Sequence, residues 1–114
     1  MPVGLVVPRT GLVIAESVRW ARSPRQRAKG LLATELGPGE ALVIEPARQV
    51  HTFGMAYPID VCFCDAGWNV LHVVTPLRPR RVTRWVFRAR YAVEAPAGVL
   101  EGVRPGDQLS LSER

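Results

Sequence analysis

The sequence predicts a mainly β fold, a compact β-barrel or two-sheet sandwich of short strands with one short helix. Three observations predict it. Short apolar clusters recur every 8 to 12 residues or so, separated by turns rich in Gly, Pro and Asp. One stretch alone, from about residue 24 to 33, carries a helix start signal and then runs free of proline. A 114-residue chain that is 47% hydrophobic can bury roughly 65% of its unfolded surface, enough for a core without staples.

The elements follow in order. Leu12-Val13-Ile14-Ala15 reads as an early strand, with Leu5-Val6-Val7 beside it across the turn-rich Pro8-Arg9-Thr10-Gly11. Ser23 is a good N-cap and Pro24 suits the first helical position. In the helix, Ala28, Leu31 and Leu32 would cover the core and Arg25, Arg27 and Lys29 would stay wet, with Gly30 limiting its length. Gly37-Pro38-Gly39 stops this region, and Ala41 to Ile44 is the next strand. Gln49 to Phe53 is a weaker strand candidate. Ile59 to Asp65 and Val70 to Thr75 form a hairpin around Gly67. Leu77 to Thr83 is a loop rich in Pro and Arg. Arg84 to Tyr91 alternates, with Trp85, Phe87, Ala89 and Tyr91 on a dry face and Arg84, Arg88 and Arg90 on a charged one. Val93 to Ala95 extends this strand, Val103 to Asp107 forms a type II turn, and Gln108 to Leu111 closes the sheet. No repeat, linker or low-complexity tract divides the chain, so residues 1–114 read as one domain.

Charge and composition narrow the function classes. The net charge is +5 and the pI about 10.2, and fourteen of the fifteen basic residues are Arg. That balance fits an anionic partner as well as an ordinary soluble domain. No run approaches the ~20 apolar residues of a membrane span, and Pro8-Arg9 interrupts the apolar start, so a cytoplasmic location is expected. Cys62 and Cys64 lie two apart in a predicted strand, an unfavourable spacing for a disulfide, and read as small reduced core residues.

Several segments, taken in order, resemble a known family. They are Ala21-Arg22-Ser23-Pro24 with Arg27-Ala28-Lys29-Gly30-Leu31-Leu32, His51-Thr52 with Met55, Pro58-Ile59-Asp60-Val61, Ala95-Pro96-Ala97-Gly98, and Gly102-Val103 with Pro105-Gly106-Asp107. Over roughly residues 12 to 111 the chain resembles domain of unknown function 192 (DUF192). The resemblance implies a small, mainly β domain with no established catalytic activity, cofactor or substrate. It therefore supplies no catalytic residues. Many members read Trp-Met-Lys-Asn-Thr where this chain has His51-Thr52-Phe53-Gly54-Met55. Many also begin with an export signal, so the chain is similar to a cytoplasmic, His-Thr-type branch.

Candidate sites are read from the residues themselves. Asp60 stands at the mouth of a predicted buried strand, where a carboxylate is costly without a partner. It either lines a pocket with His51, Met55, Glu94 and Gly98 or accepts backbone N–H groups. Such a pocket would take a small polar or cationic ligand or a peptide end. Used as acid and base, His51 and Asp60 would instead suit a small hydrolase or lyase. No nucleophile, oxyanion site or phosphate-cradling loop accompanies them, so a non-enzymatic accessory or binding domain is the leading expectation and no catalytic residue is assigned. Glu94 is either an acid of that pocket or half of an ion pair. Cys62, Cys64 and His72 lack a recognised ligand spacing and a fourth ligand, so no metal or cofactor is assigned. Arg78, Arg80, Arg81, Arg84, Arg88 and Arg90 fall within thirteen residues, and no Asp or Glu occurs between Ala66 and Val93. Guanidinium groups recognise phosphates well, so this run is a candidate anion- or nucleic-acid-binding surface. A solvated, charge-protected edge strand is its structural alternative.

Overall fold

A computed structural model describes residues 3–29 and 36–113. Its strands hydrogen-bond as two sheets, the sandwich alternative among the expected architectures. The smaller sheet contains β1 (Val3–Val7), β2 (Leu12–Ala15) and β8 (Ser110–Glu113) in the order β2-β1-β8, all antiparallel. The larger contains β3 (Ser17–Ala21), β4 (Glu40–Ile44), β5 (Ile59–Cys64), β6 (Val70–Leu77) and β7 (Tyr91–Pro96) in the order β3-β4-β7-β5-β6. No helix of the described residues is long and apolar enough to cross a membrane.

Glu16 is the corner at which the chain passes from one sheet to the other. Its N–H and that of Ser17 both donate to the Gly39 carbonyl, at 2.8 and 3.0 Å. This seats β3 parallel to β4, with Ser17 opposite Glu40 and Ala21 opposite Ile44. A parallel pair needs a long crossover, and α1 (Pro24–Lys29) lies within it. The Ser23 hydroxyl accepts from Gln26 N at 3.1 Å while Gln26 Oε1 accepts from Ser23 N at 3.2 Å, a reciprocal capping box. The expected packing of Ala28, Leu31 and Leu32, and the helix beyond Lys29 to Ala33, lie outside the described residues.

Two apolar layers hold the larger sheet. Leu5, Val7 and Ile14 of the smaller sheet pack on Ala41, Val43, Cys62, Cys64, Val93 and Ala95. On the outer face, Leu42, Ile44, Ile59, Val61, Phe63 and Ala92 are covered by Val50, Val86 and Ala89. Every residue of β5 is therefore buried, which explains its nearly unbroken apolar run. Phe63 is fully buried in this layer, a position where truncation to Ala costs about 3–5 kcal/mol.

Several expectations need correction. Residues 84–90 are not a strand. Burial there follows a period of three: Thr83, Val86 and Ala89 are inside, while Arg84, Trp85, Phe87 and Arg88 are outside. Trp85 is 57% and Phe87 80% exposed, so two of the four residues assigned to the dry face are at the surface. The small Val86 and Ala89 fit beneath the loop where large rings would overfill the layer. Ala89 is buried and Tyr91 half-buried, as expected. Gln49 to Phe53 contributes one bridge, His51 to Val82, and no strand. Leu77 ends β6 rather than beginning the loop, and the closing strand starts two residues late, Gln108 making only a bridge to Asn69. The Arg104–Asp107 turn forms as expected, with Asp107 N donating to Arg104 O at 3.0 Å and Gly106 at φ 96°, the left-handed position of a type II turn.

Candidate functional site

Two irregular segments, 48–53 and 78–88, form an antiparallel ribbon over the outer layer. Thr52 N donates to Arg81 O at 2.9 Å, Thr83 N to Val50 O at 2.8 Å, and Val86 N to Arg48 O at 2.7 Å. Side chains tighten it. The fully buried Thr52 hydroxyl donates to Arg78 O at 2.6 Å and accepts from Arg81 N at 3.0 Å. The Thr83 hydroxyl accepts from Val50 N at 3.0 Å and donates to Arg84 O at 3.0 Å. Arg48 Nε donates to Phe87 O at 3.0 Å. Between Arg78 and Arg81, Arg80 adopts a left-handed φ of 61°, a conformation that side chains tolerate only when their surroundings hold it.

These bonds fix the backbone and leave its chemistry outward. His51, Phe53, Arg78, Arg80, Arg81, Val82, Arg84, Trp85, Phe87 and Arg88 are all exposed. His51 and Val82, opposite each other across the ribbon, share a side of it. The His51 and Phe53 rings lie 5.6 Å apart. A cleft of about 340 Å³ opens beside Pro76, Leu77, Arg78, Arg81 and Val82. Among the described residues, the ion pairs are Arg9–Asp107, Arg22–Glu45 and Arg90–Glu45. Arg90 is thus engaged, whereas among the described residues Arg78, Arg80, Arg81, Arg84 and Arg88 form no salt bridge, and Arg88 acts on Asp65 only through its field.

The other candidates fall elsewhere. Asp60 is fully buried on the inter-sheet face that also carries Cys62 and Cys64. Its Oδ2 accepts from Gly98 N and Leu100 N, both at 2.9 Å, and ties β5 to the turn after β7. Its Oδ1 is buried with no hydrogen-bond partner among the described residues. Glu94 stands opposite Leu42 and Val61, on the outer face, and burial pushes its carboxyl up to about 7. Asp60 and Glu94 are therefore on opposite faces of one sheet. Met55 packs in the outer layer, and His51 is on the ribbon. Asp60 and Gly98 meet directly on the inter-sheet side, whereas Glu94, Met55 and His51 lie on the outer side.

The thiols and His72 are also separated. His72 pairs with Phe63 and stacks on it at 6.4 Å, across the sheet from Cys62 and Cys64. Burial, then the Arg84 cation, lowers its imidazole pKa. The Cys62 thiol is pushed up, first by its hydrogen bond with Cys64 and next by burial.

Sequence reasoning missed Trp85, Phe87, Phe53 and Arg48 as surface residues of this ribbon. The signal was the three-residue spacing of Thr83, Val86 and Ala89, which competes with the two-residue spacing of the aromatics.

A three-stranded sheet packed on a five-stranded one, with a basic ribbon outside, defines a small mainly β domain. The chain belongs to the DUF192 family: the family model, described as "Uncharacterized ACR", matches residues 6–111. It is 39% identical over 100 residues to the UPF0127 protein PH1112 of Pyrococcus horikoshii, covering 81% of this chain and 84% of that one. Its fold resembles the crystal structure of a protein of unknown function from Novosphingobium aromaticivorans. That match has a TM-score of 0.80 at 22% identity over 96% of this chain and 84% of that one. It also resembles the crystal structure of a "putative transcription regulator" from Sinorhizobium meliloti, with a TM-score of 0.74 at 22% identity over 95% and 90% of the two chains.

Proposed function

We propose that this protein is a non-enzymatic binding domain for nucleic acid, engaging the phosphate backbone through the 48–53 and 78–88 ribbon. One observation carries the reading: five exposed arginines, Arg78, Arg80, Arg81, Arg84 and Arg88, contact no carboxylate among the described residues, on a backbone pinned by buried Thr52 and Thr83. Exposed guanidinium groups on a fixed backbone suit phosphate oxygens, because the planar fork is pre-organised and little backbone freedom is lost on binding. A pocket for a small polar ligand or peptide end around His51, Met55, Asp60, Glu94 and Gly98 has weaker support. Asp60 is engaged with backbone N–H groups and Glu94 faces away from it.

The test is fluorescence polarisation with labelled oligonucleotides at several salt concentrations. Binding should weaken steeply with salt and fall at least tenfold in the double variant Arg80→Ala, Arg81→Ala. The double variant Arg25→Ala, Arg104→Ala removes equal charge elsewhere and should bind nearly as wild type. Equal loss in both variants would leave only net charge and remove the case for a defined surface.

A further inference from the structure

We infer that the nucleic acid taken by this ribbon is single-stranded, with Trp85 and Phe87 as platforms on which its unpaired bases stack. The inference rests on the nucleic-acid reading above and deepens it. The run Arg84-Trp85-Val86-Phe87-Arg88 alternates function by position. Val86 is the buried anchor, only 3% exposed. Its N–H is held by Arg48 O at 2.7 Å, and its carbonyl accepts from Ala89 N at 3.0 Å. On either side of the anchor an aromatic ring stands in solvent, and beyond each ring comes an arginine.

Two large rings left out of the core are an unfavourable use of apolar surface unless something covers them. Charge favours an anionic occupant, because neither ribbon segment contains an acid and, among the described residues, Arg84 and Arg88 form no salt bridge, Asp65 acting on Arg88 only through its field. The occupant must also present flat apolar faces at the spacing of its charges. An unpaired polynucleotide strand does both, since every base has a π-face and every link a phosphate. A duplex stacks its bases on one another and offers mainly phosphates, which would leave the rings uncovered. The cleft beside Arg78 and Arg81, walled by Pro76, Leu77 and Val82, supplies a further place for a phosphate and its sugar.

The experiment compares one oligonucleotide sequence as a single strand and as a duplex, at equal salt, by polarisation and by Trp emission. The single strand should bind at least tenfold more tightly. Trp85→Ala and Phe87→Ala should each weaken single-strand binding roughly 5- to 100-fold, the range for one lost base stack, while duplex binding stays within about twofold. Quenching of Trp emission by the single strand should vanish in Trp85→Ala, although Trp20 and Trp68 remain. Both rings are exposed, so thermal melts of these variants should match wild type. Equal affinity for the two forms, or full single-strand binding by both ring variants, would overturn the inference and leave the basic-surface reading standing. Binding to neither form would overturn both, and is the outcome a protein partner at these rings would give.

Discussion

Replacing Asp60 separates an architectural carboxylate from a ligand-binding one. In Asp60→Ala, Gly98 N and Leu100 N lose the Oδ2 acceptor that each reaches at 2.9 Å. An unsatisfied buried donor costs about 1–3 kcal/mol. Leu100 N is buried, near the upper end, and Gly98 N only partly so, giving a gross loss of about 3–4 kcal/mol. Removing a buried carboxylate whose Oδ1 has no partner returns part of this, so a net loss of about 2–3 kcal/mol is expected. At about 4 °C per kcal/mol for a domain of this size, Tm should fall by roughly 8–12 °C. Asp60→Asn keeps an acceptor oxygen for the same two donors. It should lose only about half as much, since a charged acceptor makes the stronger bond. The assay is urea and thermal unfolding followed by circular dichroism, with oligonucleotide binding measured well below Tm. An Asp60→Ala protein that melts within 2 °C of wild type yet no longer binds a ligand would refute the architectural account.

Further predictions follow from charge and hydrogen bonding. The Asp107 carboxyl is held down at about 2, first by its Arg9 partner and then by Arg104 N. Its contribution is present above the ordinary value of 3.8 and lost as pH falls through 2. Arg9→Ala should therefore destabilise the fold at pH 6 and lose most of that effect as pH falls to 2 and below, by urea unfolding. Glu94 has the opposite sign: raised from 4.5 to about 7 by burial, it stabilises below 4.5, and this support is lost as pH rises through 7. Glu94→Gln should remove about 3 kcal/mol of pH dependence between pH 4.5 and 7, seen as a flatter profile of unfolding free energy. Thr52→Val leaves Arg78 O and Arg81 N without their hydroxyl partner. It should cost about 1–3 kcal/mol in stability and weaken oligonucleotide binding without touching the ligand, with both losses largely restored by Thr52→Ser. Five free arginines on single-stranded nucleic acid predict a slope of log affinity against log salt of about −3.5, reduced by about 1.4 when Arg80 and Arg81 become Ala.

The legible parts of the fold were those with strong local chemistry. Gly67 between two apolar runs marked the β5–β6 hairpin, Ser23-Pro24 marked the start of α1, and Pro105-Gly106 marked the turn before β8. The strand β3 went unread because Ser17 and Arg19 interrupt its apolar pattern. An edge strand half-buried from Ser17 to Trp20 need not conceal such residues, and its pairing with β4 depends on Gly39 far along the chain. Asp60 was legible as a residue needing compensation, and both of its donors come from the turn after β7. The Trp85 and Phe87 surface was misread because large rings in alternation normally mark a core face. The deciding contacts, Val50 with Thr83 and Arg48 with Val86, join residues more than thirty positions apart. Sequence periodicity carries no record of such long-range pairing, so tertiary structure overrode it.

The basic surface arises as much from where the acids are held as from where the arginines stand. Glu45 lies between Arg22 and Arg90, and those two cations keep its carboxyl low, Arg22 most strongly. Asp65 accepts from Gly67 N and from Asn69 N and Nδ2 in its own turn. Asp107 is bound by Arg9 and Arg104 N, Glu40 accepts from Gly37 N at 2.6 Å, and Asp60 and Glu94 are buried. Each of these carboxyl groups is committed to local architecture, although the Arg88 cation of the ribbon also helps to keep Asp65 low. In a chain of formal net charge +5, the acid-free 78–88 segment gathers five exposed arginines on one surface. Potentials focused in this way steer an anionic chain toward a defined place, at a rate that falls with salt. On this account Glu45→Gln should strengthen oligonucleotide binding several-fold at low salt by releasing Arg90 toward the ribbon, and the gain should fade as added salt screens the charge. No change at any salt would mean that Arg90 lies outside the reach of the bound strand, confining the surface to Arg78 through Arg88.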